Sequence, residues 1–304
     1  MPDRPLVKAS RSQIVLAFAA VYIIWGSTYL AIRFAIETLP PMLMVGSRFL
    51  VAGGIMYAWL RVRGAAKPKA IHWRSAVILG VLMPVFGTGV VVWSEQKVPS
   101  GIASLLVAIE PVWIALLQWW RPGGKRPNPW VIGGVALGLA GLYLLVDPGS
   151  RTQQRNVFAE GALLLAALSW AIGSLYSRRA PQPEAKFLGT GMEMIVAGIV
   201  LTTVGLTTGE ASHFSLAAGS AKSWLALIYL ITFGSTIAYT AYVWLLKAVS
   251  PTLVSTYAFV NPVVAVFLGW AFASEPLNGR MIAAATIIVG AVALITMGGK
   301  DEAG

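Results

Sequence analysis

Long stretches without a single charge, separated by short basic or proline-containing breaks, dominate the chain. Ser12 to Ile32, Ser75 to Ser94, Ser223 to Leu246, Ser250 to Ser274 and Met281 to Gly299 hold no Asp, Glu, Lys or Arg. A helix needs about 20 predominantly apolar residues to cross the hydrocarbon core of a bilayer, so each run is long enough to span one. Breaks fall at Leu39-Pro40-Pro41, Lys67-Pro68-Lys69, Val98-Pro99-Ser100, Pro122-Gly123-Gly124 and Pro181-Gln182-Pro183, where proline, glycine or charge interrupts a helix. Together they predict ten transmembrane helices near residues 13–36, 41–60, 75–96, 100–120, 130–147, 158–177, 186–206, 223–246, 251–273 and 280–298. Only the stretch from about Thr207 to Lys222 is long enough for a modest loop, which leaves no room for a soluble domain.

Composition agrees with that pattern. Of the 304 residues, 57% are hydrophobic and 12% charged, against roughly 25% charged in ordinary soluble domains. Cysteine is absent, which removes disulfides, thiolate metal sites and Cys nucleophiles together. A net charge of +11 would suggest a nucleic-acid partner in a soluble protein. Here the positive residues lie in connections between apolar runs, so no nucleic-acid partner is expected and the charge sets membrane orientation instead. With the N-terminus inside, the outer connections hold Lys97, Arg151, Arg155, Lys222 and Arg280, and two cations, Arg33 and Arg48, fall within spans. The other sixteen of the 23 Lys and Arg lie on the inner side. Sixteen against five predicts both termini in the cytoplasm, with the basic loops against anionic lipid headgroups. The first apolar run is too long for a signal-peptide core, so no cleavable leader is expected.

The two halves of the chain align on each other. At an offset of 145 residues Trp25 falls on Trp170, Arg33 on Arg178, Gly46 on Gly191, and Val51-Ala52-Gly53 on Val196-Ala197-Gly198. After a six-residue insertion the offset is 151, and Trp93 meets Trp244, Ser104 meets Ser255, Pro111 meets Pro262 and Trp119 meets Trp270. The expected units are residues 1–149 and 150–304. Five spans per unit is an odd number, so the second unit must enter the membrane in the opposite sense. That inverted arrangement is the one that gives transporters equivalent inward- and outward-facing states about a midplane site.

Several segments carry a resemblance. Tyr22 to Tyr29 reads YIIWGSTY and Val98 to Pro111 reads VPSGIASLLVAIEP. In the second half Phe233 to Tyr239 reads FGSTIAY, and Tyr257 to Val266 reads YAFVNPVVAV before Gly269-Trp270 and Glu275. Over essentially the whole chain these resemble the drug/metabolite transporter superfamily, specifically its ten-helix EamA-type exporters. The resemblance implies a secondary carrier of the bacterial inner membrane with a central cavity between its halves. Members export amino acids, metabolites or toxic compounds, and others import. The pattern often closes the fourth helix of each half on Gly-Glu, as Ala273-Ser274-Glu275 nearly does, whereas the first half runs Trp119-Trp120-Arg121-Pro122 without an acid. Glu275 is therefore read as a helix-end residue.

Charged groups inside spans are the first candidates for a site, because each is costly at the helix centre. Glu110 lies near the middle of the fourth span, just before Pro111, which frees the carbonyl of Val107 and opens the helix locally. Such a carboxylate suits a substrate amine or a coupling proton; a packing pair with Arg48 is the plainer reading. The matching pair, Asn261-Pro262, would expose the carbonyl of Ala258 and set Asn261 opposite Glu110. Two kinked helices packed for shape alone would look the same. Arg48 and Glu193 occupy equivalent repeat positions and serve either the cavity or structural pairing. Arg33 and Glu95 lie near helix ends, where snorkelling accounts for them.

Aromatic candidates for cavity walls are Trp25, Tyr29, Trp93, Trp170, Tyr239, Tyr242 and Tyr257, since such walls suit amphipathic or cationic solutes. The same residue types form interfacial belts, the reading given to Trp59, Trp119, Trp120 and Trp130. Gly134 and Gly138 have small-xxx-small spacing and read as close helix packing. His72 and His213, the two histidines, fall outside the spans, so neither a His metal site nor a Ser/His dyad is expected within the bilayer. Ser235 is then a packing or cavity hydroxyl rather than a nucleophile. No Walker-type loop is present, which excludes direct use of ATP, and no cofactor is expected. The sequence thus predicts a secondary transporter exporting small metabolites such as amino acids, amines or amphipathic compounds, with protons as a candidate coupling ion. A passive channel or facilitator is the alternative, ahead of a membrane-embedded enzyme. The chain is read as a monomer or homodimer.

Overall fold

The computed structural model describes residues 9–98, 100–121, 124, 126–146, 156–185, 187–213, 215, 218–273 and 278–301. The expected break at Pro99, most of that at Pro122-Gly123, and Glu275 lie outside the described residues. Among the described residues the regular structure is entirely helical. The helices are α1 (Arg11–Ala35), α2 (Pro41–Val62), α3 (Ala70–Glu95), α4 (Ser100–Val107), α5 (Glu110–Trp120) and α6 (Pro129–Val146). Then follow α7 (Val157–Ser177), α8 (Leu188–Thr207), α9 (Ala221–Ala248), α10 (Pro251–Val254), α11 (Tyr257–Ala273) and α12 (Gly279–Asp301). Seven of them, α1, α2, α3, α7, α8, α9 and α12, are long and apolar enough to cross a bilayer.

Helix ends follow local chemistry. Ser10 caps α1, its hydroxyl accepting from the Gln13 amide while the Gln13 side chain accepts from the Ser10 amide, a reciprocal pair that satisfies two free donors. The third span begins at Ala70, five residues before the apolar run, because the His72 ring accepts the Lys69 amide and turns a polar segment into the first helical turn. Pro41 opens α2, whose free Met42 and Leu43 amides donate to the Glu210 carboxylate at 3.1 and 2.9 Å. Glu210 starts a 3-10 turn, Glu210–His213, in the expected loop between α8 and α9.

Two expected spans are interrupted. The fourth is split into α4 and α5 by a turn at Ala108-Ile109, so that Glu110 and Pro111 start a new helix. The ninth is split at Ser255-Thr256, six residues before Pro262. Pro262, expected to break the helix, instead lies inside α11. The interruption falls where side-chain hydroxyls bond the preceding turn: Ser255 donates to the Thr252 carbonyl at 2.8 Å, and the Thr256 hydroxyl joins its own amide on that of Leu253 at 2.6 Å. Two further helices change pitch. Residues Val81–Gly89 of α3 and Leu230–Tyr239 of α9 form π-helical turns. Pro84, which has no amide hydrogen to give, lies in the first.

Small residues bring α2 and α8 together backbone to backbone. Gly46 faces Thr202, Leu50 faces Gly198, Gly53 faces Met194, and Tyr57 faces Gly191. Numbers rise along one helix as they fall along the other, so the pair is antiparallel. A side-chain carbon at Gly46 would lie 2.6 Å from the Thr202 amide nitrogen, and one at Gly53 would lie 2.7 Å from the Gly191 carbonyl. α6 and α12 pair the same way, through Gly134 against Ala291 and Ile295 and Gly141 against Ala284 and Ile288. Gly138 packs on the Phe259 ring of α11. Without a hydrophobic force between helices in lipid, such close approach is the main source of association.

Gly46→Val should therefore lower the melting temperature in detergent, by an overpacking cost of about 1–3 kcal/mol. Gly54→Ala, where nothing lies within 4 Å of the new carbon, should leave it unchanged or slightly raised. Equal melting temperatures for wild type and Gly46→Val would refute the close seam.

Candidate transport site

The rearranged stretches of α3 and α9 and the break before α5 come together around one cavity. Helical hydrogen bonds released there are remade from other helices. In α3 the Leu82 carbonyl accepts from the Ser169 hydroxyl of α7 at 2.8 Å, and in α9 the Gly234 carbonyl accepts from the Trp25 indole of α1 at 3.1 Å. The Thr236 hydroxyl takes the Ile231 carbonyl within the second π turn at 2.9 Å. Neither π turn has a clear signature in the sequence; the recurrence of Phe-Gly followed by a hydroxyl residue, at Phe86-Gly87-Thr88 and Phe233-Gly234-Ser235, is its only visible correlate.

The cavity has a volume of about 90 Å³. One water needs roughly 10–15 Å³ on this measure, so the space suits a small solute rather than a single ordered water. Seven of the sequence candidates line it: Trp25, Tyr29, Arg48, Trp170, Tyr239, Tyr257 and Asn261. Thr28, Thr88 and Phe49, which the sequence reading did not single out, line it as well. Trp25 and Trp170, the two repeat-matched tryptophans, meet edge to face with ring centroids 5.6 Å apart. Trp25 also packs on Tyr242 and Tyr257, each at 5.0 Å. Gly87 lets the Trp170 ring rest directly on the α3 backbone, and Gly234 makes the same room on α9 for Thr28 and the Arg48 guanidinium.

Behind this wall lies a polar network. Glu110 is fully buried and accepts from the Tyr257 hydroxyl at 2.5 Å and the Tyr242 hydroxyl at 3.4 Å. Tyr242 is a hub, receiving the Trp170 indole at 2.9 Å and bonding the Ser174 hydroxyl at 2.7 Å. The tyrosines, not Asn261, thus separate Glu110 from the cavity, and Glu110 has no ion pair with Arg48. Asn261 satisfies its surroundings when its amide nitrogen donates to the carbonyls of Tyr257 and Tyr22, at 3.1 and 3.2 Å. Glu193 is buried apart from the cavity wall, held by the Tyr239 hydroxyl at 3.1 Å and the Gln182 amide at 3.3 Å. Arg48 and Glu193, equivalent in the repeat, therefore stand in different surroundings.

Trp93 is not brought to this site. Its ring lies 5.8 Å from that of Phe158 and under the Lys97 ammonium at 4.1 Å, packed between the main core and a smaller cluster of Val98, Ala103 and Leu163. Arg33 is exposed at the end of α1, whereas one oxygen of Glu95 is buried without a partner. The belt tryptophans Trp59, Trp119, Trp120 and Trp130 are all exposed, with Arg63 over the Trp59 ring and Arg126 over that of Trp119.

Comparison with known proteins agrees with this architecture. The family model for EamA-like transporters matches twice, over residues 12–147 and 157–297. The Escherichia coli protein described as the uncharacterized inner membrane transporter YedA is 40% identical over 283 residues, covering 93% of this chain and 90% of its own. The uncharacterized transporter YoaV of Bacillus subtilis is 25% identical, covering 91% and 94%. A crystal structure with 21% sequence identity superposes with a TM-score of 0.75 over 95% of this chain and 99% of its own, a likeness of fold. Several bilayer-length apolar helices, a cavity among them and two matches to one family model lead to one assignment: the chain belongs to the EamA-like transporter family and is a multi-pass inner-membrane transporter rather than an enzyme.

Proposed function

We propose that the protein is a secondary transporter that exports small metabolites by alternating access, built from ten transmembrane helices in two inverted five-helix units, residues 1–149 and 150–304. The observation that carries this reading is the cavity wall itself, where Trp25 and Trp170, equivalent positions of the two units, meet ring to ring. The antiparallel α2–α8 seam supports the same symmetry. Adding 145 to Gly46 and subtracting 145 from Thr202 turns their contact into that of Gly191 with Tyr57, which is also made. The Leu50–Gly198 contact becomes that of Ile195 with Gly53, likewise made. A two-fold relation that reverses helix direction accounts for both, and it is the relation alternating access uses.

With both termini in the cytoplasm, the cavity lies toward the outer ends of α1, α2 and α3. The Glu110–Tyr242–Tyr257 network then closes it on the cytoplasmic side. Glu110 is the candidate proton carrier: an acid next to a helix break, reached through tyrosine hydroxyls, can gain or lose a proton as the network opens. The substrate is a small solute from one of the classes that aromatic walls accommodate: amino acids, amines or amphipathic compounds.

Proteoliposomes loaded with a panel of these solutes should show saturable efflux, stimulated by unlabelled solute on the opposite side and accelerated by an inward proton gradient. Linear flux without that stimulation would establish a channel instead. Glu110→Gln should lose the response to the gradient while retaining solute exchange, and a full gradient response in this variant would remove the coupling role. Tyr242→Phe strands the Trp170 indole and should cost about 1–2 kcal/mol of stability, read as a lower melting temperature than that of wild type.

A further inference from the structure

Among the described residues that line the cavity, Arg48 is the one with a charged side chain. It is 4% exposed. Its Nε donates to the Ser235 hydroxyl at 2.7 Å, and its guanidinium carbon lies 5.2 Å from the centre of the Phe49 ring. One terminal nitrogen, Nη1, is buried and has no hydrogen-bond partner. A guanidinium keeps its proton in proteins, and a buried charge is tolerated when paired and fully hydrogen-bonded. Here the Nε bond fixes the head group, Gly234 makes room for Nη2, and Nη1 is left without a partner on a residue that lines the cavity.

The buried acids do not pair with it: Glu95, one of whose oxygens is also without a partner, is not among the described lining residues. Both oxygens of Glu110 are held by Tyr257 and Tyr242, and both of Glu193 by Tyr239 and Gln182. None of the described cavity-lining residues is acidic. The rest of the lining is aromatic and aliphatic, with the hydroxyls of Thr28 and Thr88 and the amide of Asn261 as neutral polar groups. A wall with one fixed cation, no anion and flat rings matches a solute with one negative charge on an apolar or aromatic body. It does not match an organic cation. A zwitterion would leave its ammonium without an acidic partner.

From this geometry we infer that the transported solute is an organic monocarboxylate, anchored through its carboxylate by Arg48. The inference rests on the carrier reading above and names its substrate class. A carboxylate is the natural complement of a guanidinium nitrogen without a partner, through a charge-assisted hydrogen bond, and the aromatic rings take the body. Arg48 is then a substrate-binding residue, and Ser235 is the positioning residue that aims it.

The test compares benzoate, benzamide, benzylammonium and phenylglycine, which share a ring and differ in charge. Binding to the purified full-length protein in detergent is read by quenching of tryptophan fluorescence and by thermal shift. Benzoate should bind at least tenfold more tightly than the other three. Arg48→Gln should abolish that preference, and Arg48→Lys should keep part of it. Ser235→Ala should weaken benzoate severalfold while leaving benzamide unchanged. The wild-type series needs no variant to fold, so the inference is exposed even if Arg48→Gln does not. Tighter binding of benzylammonium or phenylglycine, or an unchanged benzoate preference in a folded Arg48→Gln protein, would overturn it. The carrier reading fails separately. Arg48-dependent benzoate binding without saturable flux in proteoliposomes would remove the carrier and keep the site, whereas saturable flux of cations or zwitterions would do the reverse.

Discussion

In the hydrocarbon of a bilayer no water repairs a backbone carbonyl that has lost its partner, and each one left open costs several kcal/mol. Most of the arrangement near the cavity answers to that constraint. At several places where a helix departs from regular geometry, another group takes up a released carbonyl. Ser169 serves Leu82, Trp25 serves Gly234, and Ser255 and Thr256 serve the turn before α11. The departures are confined to the helices around the cavity, where donors from neighbouring helices are within reach.

The same constraint separates two kinds of helix contact. Away from the cavity α2 with α8 and α6 with α12 meet through glycines, with little side chain between them. At the cavity the helices are held apart by large rings, and Trp25, Trp170, Tyr242 and Tyr257 pack on one another. Tyrosine and tryptophan do this well because each brings both apolar area and one polar atom that finds a partner. The hydroxyls of Tyr242 and Tyr257 converge on Glu110, which is how a carboxyl group is accommodated with no cation beside it.

Much of this was legible in the sequence, for a physical reason. Lipid demands unbroken apolar length, so the positions of α9 and α12 are written almost directly as the charge-free runs Ser223 to Leu246 and Met281 to Gly299. The candidate residues were legible as types, since a charge or a Trp-Tyr cluster at span depth is rare enough to stand out. Their partnerships were not. Trp93 matches its repeat counterpart as well as Trp25 does, yet it packs against Phe158, because the face a helix presents is decided by neighbours far away in sequence. Pro262 looks locally identical to Pro111, but the break before α11 follows two hydroxyl residues upstream. The π turns were invisible, because a shift from four- to five-residue hydrogen bonding needs donors on other helices that no local pattern announces. Glu210, read as part of a loop, proves to hold the amino end of α2.

The glycine seam of α2 and α8 sets a mechanical limit. Two backbones in direct contact have no side-chain slack, and sliding one by a single residue would drive Thr202 or Met194 into the opposite main chain. The pair is therefore a stiff strut, and its geometry is fixed to within a fraction of an ångström. Compliance resides elsewhere, in the helices whose hydrogen-bond ladders are already interrupted. Bending costs least at α3, α9 and the breaks before α5 and α11, and most along the α2–α8 seam.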